Sequence, residues 1–169
     1  MVDYSTISIV FTGLSISIAA FYYILTLRNT QKNQQLQLET RQAQLFMQMY
    51  NKADDSVRES FNHIMRIEYR DFRDYWERYG PDSDDDMEPH ISQMAYFLEG
   101  LGVLVKERLL SMRLVALTWA GTSRMFWDKL APIIDEWREE IGYPRLWSET
   151  EYLCKELIKY MEEHPELKT

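Results

Sequence analysis

An all-α fold is what this sequence predicts: one N-terminal transmembrane helix that continues into a long stalk helix and then a compact cytoplasmic helical bundle of about four helices. Three observations carry that expectation. Residues 8–27, "SIVFTGLSISIAAFYYILTL", contain no charged side chain. The rest of the chain lacks the apolar/polar alternation that a half-buried strand needs. Glycine and proline are few, six and five, and stand where they punctuate helices.

The apolar run starts at Ile7 and ends at Leu27. At about 1.5 Å of rise per residue it spans roughly 30 Å, the hydrocarbon thickness of a bilayer. A secretory signal would open on basic residues and have a shorter apolar core, whereas Asp3 is the only charge ahead of this run, so the segment is expected to stay in place. Tyr4 at one end and Tyr22 and Tyr23 at the other suit the two headgroup levels. Arg28, Lys32 and Arg41 follow the span and no Lys or Arg precedes it, which places the amino terminus outside and the following domain in the cytoplasm. The expected division is a short extracytoplasmic segment at 1–6, the transmembrane helix at 7–27, a juxtamembrane stalk at 28–45 and a bundle at 46–165. The mean hydropathy of −0.42 agrees with one span carrying a polar domain.

Within the span, Gly13, Ser17 and Ala20 line one face and Ser8, Thr12, Ser15 and Ala19 another. Small residues at such spacing let helices approach closely. The glutamine-rich stalk, "RNTQKNQQLQLETRQAQL", has good helix propensity and offers Leu36, Leu38 and Leu45 as oligomer contacts, in the manner of a coiled coil. From Phe46 the helix is expected to pack on its own bundle, because Ala43, Phe46, Tyr50, Ala53, Val57 and Ile64 form one helical stripe. A break falls near "NKADDSVRES", where Ser56 and Glu59 have capping-box spacing and Asp54 and Asp55 suit a helix start.

A helix then continues through "IMRIEYRDFRDYWERYGP", with Tyr69, Phe72, Tyr75, Trp76 and Tyr79 on one spacing, until Gly80 and Pro81 stop it. Pro89 opens the next, "PHISQMAYFLEGLGVLVKERLL", apolar on most of its circumference and so central. A turn at Leu110 to Met112 leads to "RLVALTWAGTSRMFWDKLAPIIDEWREEIG", restarted at Pro132 and closed by Gly142 and Pro144. The last helix is "RLWSETEYLCKELIKYMEEHP", with Ser148 and Glu151 in capping-box spacing and Pro165 beyond its end.

Residues that could carry chemistry are sparse. Asp82, Asp84, Asp86 and Glu88 alternate like calcium ligands, but Met87 and Gln93 stand where such a loop needs glycine and glutamate, so a solvated loop is expected. A carboxylate-bridged metal centre needs Glu-x-x-His pairs, and none of His63, His90 and His164 has a glutamate three residues before it. Glu59 and His63, four apart, read as a surface pair. The lone Cys154 suits a reducing compartment, and neither a Ser-His-Asp order nor a phosphate-cradling glycine loop is evident. No catalytic residue, cofactor or metal is therefore expected. A net charge of −8, concentrated outside the span, opposes nucleic acid as a partner.

Glu99 interrupts an apolar stretch and must reach solvent or find a partner. An interhelical ion pair with Arg66, Arg70, Arg73, Arg124 or Arg138 is the expectation, with an exposed flank or a functional acid as alternatives. Gly100 and Gly102 each cost a helix about 1 kcal/mol relative to alanine. They make sense if a helix or a ring such as Trp119 or Trp127 packs closely there.

The segments "FLEG", "LAPIIDEWR" and "PRLW…EYL", in their order along nearly the whole chain, resemble a prokaryotic family of small single-pass membrane proteins with a domain of unknown function. The resemblance implies a cytoplasmic helical bundle on one membrane helix and no catalytic residues, and it directs attention to Glu99, Pro132, Arg138, Pro144 and Trp147. Taken together, the expectation is a membrane-anchored, non-enzymatic helical interaction or scaffold module. Its partners would be the lipid bilayer through 7–27 and a protein partner or a homo-oligomer. One alternative is a homo-oligomeric pore with Ser8, Thr12 and Ser15 toward the lumen; another is a membrane-tethered enzyme using Glu99.

Overall fold

Hydroxyl-bearing residues compete for helix backbone groups, and in the first helix their protons go to its own carbonyls. Thr12, Ser15, Ser17, Thr26 and Thr40 each donate to the carbonyl four residues earlier, at 2.8–2.9 Å, so the hydroxyls are satisfied inside the helix. In the computed structural model, which describes residues 3–53, 55–83 and 86–167, this helix, α1, runs unbroken over Tyr4–Lys52. An 18-residue window within it reaches a mean hydropathy of 1.8, and none of that window is buried. Ile9, Val10, Phe11, Ile18 and Phe21 leave 61–70% of their surface exposed. The helix is long and apolar enough to cross a membrane.

The chain divides between Ala43 and Gln44 into two units. The first is the exposed part of α1. Among the described residues, the second holds the last turns of α1 and six further helices, and all the buried residues lie in it. These are α2 (Asp55–Arg66), α3 (Phe72–Tyr79), α4 (Met87–Lys106), α5 (Met112–Leu130), α6 (Ile134–Glu140) and α7 (Ser148–Glu163), followed by a 3-10 turn at Pro165–Leu167. The four longer ones, α2, α4, α5 and α7, form the bundle, with α4 packed mainly on α2 and α7, and α5 on α7. Ile64, Ile91, Met94, Leu98, Leu101, Phe126, Leu130 and Leu153 are its fully buried centre. Phe46, Met49 and Ala53 pack against this core from the end of α1.

Several boundaries follow the punctuation. Pro132 cannot donate a backbone hydrogen bond, and α5 closes just before it through Ala131 N–H to Trp127 O at 2.7 Å, with α6 restarting at Ile134. Gly142, at φ +65°, ends α6 in the left-handed conformation that glycine tolerates. Pro89 lies in the first turn of α4, where its missing N–H is no loss.

The structure corrects three expectations. No helix runs from Ile64 to Tyr79: α2 ends at Arg66, and α3 begins after Asp71, whose side chain accepts from Asp74 N–H at 2.9 Å. The intervening Ile67 is buried and donates its N–H to Ile64 O at 3.2 Å, closing the end of α2. The Ser148/Glu151 capping box does not form. Trp147 occupies the N-cap position of α7 at φ 52°, without a side-chain cap, and Glu151 is held by Arg138 and Lys155 instead. Ser56 likewise is not the cap of α2, which starts one residue earlier; its hydroxyl accepts from Gln93 Nε2 at 2.7 Å. Asp54 and Asp84, singled out above, lie outside the described residues.

Candidate functional site

Four of the residues marked by the sequence converge on the first turn of α7. A helix start leaves unpaired N–H groups, and Trp147 offers no side-chain oxygen to take them. Glu99 of α4 supplies one. Its Oε2 accepts from Thr150 N–H at 2.5 Å and from Thr150 Oγ1 at 3.3 Å. The expected ion pair between Glu99 and an arginine is thereby corrected: the partner is a helix end, whose N–H groups and dipole favour a carboxylate. Such a partner is invisible to any search for opposite charges.

Gly102, one turn further along α4, explains how the two helices come close enough. A Cβ at this position would overlap Glu149 O and lie 2.8 Å from Glu149 C. It is the backbone of α7, not Trp119 or Trp127, that requires glycine here. Gly100 faces Met49 Cε, which a Cβ would meet at an ordinary 3.6 Å. Lys106 closes the seam with both oxygens of Glu149, at 2.9 and 2.8 Å.

Arg138 fixes the loop that delivers α7. Its Nε and Nη2 donate to Leu146 O at 3.0 and 2.9 Å, Nη2 also to Glu151 Oε2 at 2.7 Å, and Nη1 to Asp135 at 3.1 Å. The planar guanidinium reaches all three acceptors at once. Glu151 is held below the usual carboxylate range, first by Lys155 and then by Arg138. Trp147, next to Leu146, is buried edge-to-face on Trp137 at 4.7 Å and near Phe126 at 6.3 Å.

The other marked residues lie elsewhere. Trp119 is buried among Phe46, Tyr50 and Phe97 at 5.6–6.1 Å. Pro132 borders an open depression of about 650 Å3 with Tyr69, Arg70, Asp74, Arg78 and Lys129. There the Tyr69 hydroxyl donates to Lys129 O, and the carboxylate of Asp74 is enclosed by Arg70 and Arg78. Arg70 N–H, donating at 3.0 Å, is the main reason that Asp74 is held below the usual carboxylate range. Cys154 is buried, donates to Ser123 O at 3.3 Å, and has its thiol pushed up to about 12 by desolvation, so it stays protonated and unreactive. Among the described residues, no group of three or more His, Cys, Asp and Glu side chains could hold a metal ion.

On α1, Gly13, Ser17 and Ala20 share one exposed face. Leu38 and Leu45 share a face as well, being seven apart, whereas Leu36 is two residues from Leu38 and points the other way. Leu36 and Leu38 are exposed and Leu45 is half-buried.

A family model for a domain of unknown function, DUF4760, matches residues 9–157. The chain belongs to the DUF4760 family. The match begins inside the apolar part of α1 and ends in α7, so the family pattern takes in both the long helix and the bundle, and with them Glu99, Gly102, Arg138 and Trp147. Neither a curated protein nor a solved structure matches the chain.

Proposed function

We propose that this DUF4760 protein is a single-pass membrane protein of prokaryotic type whose helical bundle is a non-enzymatic interaction module on the cytoplasmic face. The observation that carries the reading is the apolar stretch of α1, whose Ile, Leu, Phe and Val side chains from Ile9 to Leu27 are exposed. In water that surface is costly; in hydrocarbon it is at rest. Arg28 and Lys32, just past the apolar stretch, favour a cytoplasmic bundle. Tethering concentrates the bundle near the bilayer, which is mechanism enough for a docking module.

Between a close-packed oligomer and a water-filled pore, the hydroxyls of Thr12, Ser15 and Ser17 favour the first. Each spends its proton on its own helix, which leaves fewer donors for a polar lumen. Two measurements test the proposal. In sealed inside-out vesicles, external protease is expected to digest the bundle; protection there, with digestion in right-side-out vesicles, would reverse the orientation. The mass of the full chain in nanodiscs by light scattering then decides the partner: a monomer points to a different protein, a multimer to copies of this one.

A further inference from the structure

One uncharged stripe runs along α1 from the apolar segment into the glutamine-rich stalk. Starting at Gly13 and ending at Leu38, steps of four and three residues alternate without a break, and every position on the stripe is exposed. This is the period of a left-handed coiled coil. A straight helix drifts off it by about 20° per heptad, so the stripe stays on one face only where the helix winds around a partner.

Each stretch of the stripe suits a second, identical helix at its own level. Gly13, Ser17 and Ala20 lie in the apolar segment, where small residues let two backbones approach closely. Unlike Gly102, Gly13 has no atom within 4 Å that a Cβ would meet among the described residues, so packing inside the chain does not ask for glycine there. Ile24 and Leu27 follow at the end of that segment. They fall at heptad positions a and d, and a β-branched residue at a with leucine at d favours two parallel strands. Gln31 and Gln34 carry the stripe into the stalk, and Leu38 ends it. A glutamine amide holds both donors and an acceptor, so it can pair with its own copy, which two ammonium groups or two carboxylates cannot. The next position is Arg41, where two copies would oppose like charges.

Charge selects the occupant. Between Gly13 and Leu38 the charged residues are Arg28 and Lys32, and both lie off the stripe. Arg28 takes an e position, which in a parallel pair faces the g position five residues earlier on the other helix. That residue is Tyr23, whose ring accepts a guanidinium, so two copies meet there without repulsion. Gln35, at the next e position, faces Thr30 in the same way. We propose that the stripe over residues 13–38 is a parallel, in-register seam between two copies of this chain. Its parallel sense rests on the membrane reading above, since a shared orientation in one bilayer points both helices the same way.

Disulfide formation between introduced cysteines, in the full chain in its membranes, reads the seam directly, because the bond needs Cβ atoms within about 4.5 Å. The native Cys154 is buried, and the wild type supplies the background. Under mild oxidation Gln31→Cys, Gln34→Cys and Leu38→Cys are each expected to convert largely to a linked dimer, whereas Leu36→Cys, on the opposite face, stays a monomer. All four positions are exposed, so the bundle should fold in every variant. Bonds at both 31 and 38 require parallel helices, since an antiparallel pair brings identical residues together at one level only. Equal linkage in Leu36→Cys, linkage at only one of the three, or none would overturn the seam. So would a mass in nanodiscs other than that of two chains. Carbonate extraction of the same samples separates this inference from the one it rests on. A carbonate-resistant chain without the linkage pattern removes the seam alone; a soluble chain removes the membrane reading, and the linkage pattern still decides the seam.

Discussion

Gly102 in α4 and Gly121 in α5 look alike in sequence, each an interior glycine in a helix of about twenty residues, but a methyl group would meet different surroundings. At Gly102 it would run into the backbone of Glu149; at Gly121 nothing lies within 4 Å. Alanine at Gly121 is therefore expected to stabilise the bundle by up to about 1 kcal/mol through helix propensity alone. The same change at Gly102 forces α4 and α7 apart, disturbs the Glu99 cap, and should cost about 1–3 kcal/mol as other overpacked sites do. Thermal denaturation of the two variants gives the comparison, and equal effects would mean that the seam is looser than the geometry indicates. Tyr75 makes a second residue-scale case. It is fully buried among Tyr69, Tyr79 and Trp137, and its hydroxyl has no hydrogen-bond partner among the described residues. Burial drives its phenol far above the ordinary value. Tyr75→Phe should thus be neutral or stabilising by up to about 1 kcal/mol, since a buried polar group without a partner only costs. A loss of stability in that variant would show that the hydroxyl is bonded in solution.

Among the elements, α3 carries the clearest pH dependence. Asp74 is 7% exposed and its carboxylate receives Arg70 N–H, Arg70 Nη2 at 3.2 Å and Arg78 Nε at 3.1 Å. Because its folded-state value is depressed, the stability it contributes is present above the unfolded carboxylate value and is lost as pH falls through the lower, folded one. Asp74→Asn should lower the melting temperature at neutral pH, with the gap to wild type closing below about pH 4. A gap that stayed constant on acidification would contradict this. The same element marks where the sequence is hard to read. Where glycine and proline punctuate, as at Pro132 and Gly142, helix ends are legible. Between α2 and α3 the only signals are Asp71 as a cap and a buried Ile67, and both also fit a continuing helix. The α7 seam was legible as a set of residues, Glu99, Gly102, Arg138 and Trp147, but not as an arrangement. Its key acceptors and donors are backbone groups, Thr150 N–H and Leu146 O, that no side-chain pattern announces.

At the scale of the whole molecule, the free energy of the apolar segment decides where the chain resides. Ten Ile, Leu, Phe and Val side chains lie between Ser8 and Leu27. At about 0.3–0.6 kcal/mol each they favour hydrocarbon by roughly 3–6 kcal/mol, before the smaller terms of the hydroxyl residues. An arginine near the middle of a span costs about 2.5–3.5 kcal/mol. Replacing Ile16 and Ile18 together, Ile16→Arg with Ile18→Arg, removes two favourable residues and adds roughly 5–7 kcal/mol against insertion, enough to reverse the balance. Both side chains are exposed, so the bundle should keep its melting temperature while the double variant moves from the carbonate-resistant membrane fraction to the soluble one. If it stayed in the membrane with the bundle intact, residues beyond Leu27 would be holding it there. If wild type itself proved soluble, the exposed face of α1 would have to be covered by protein rather than lipid, and self-association along that helix would become the primary role of the segment.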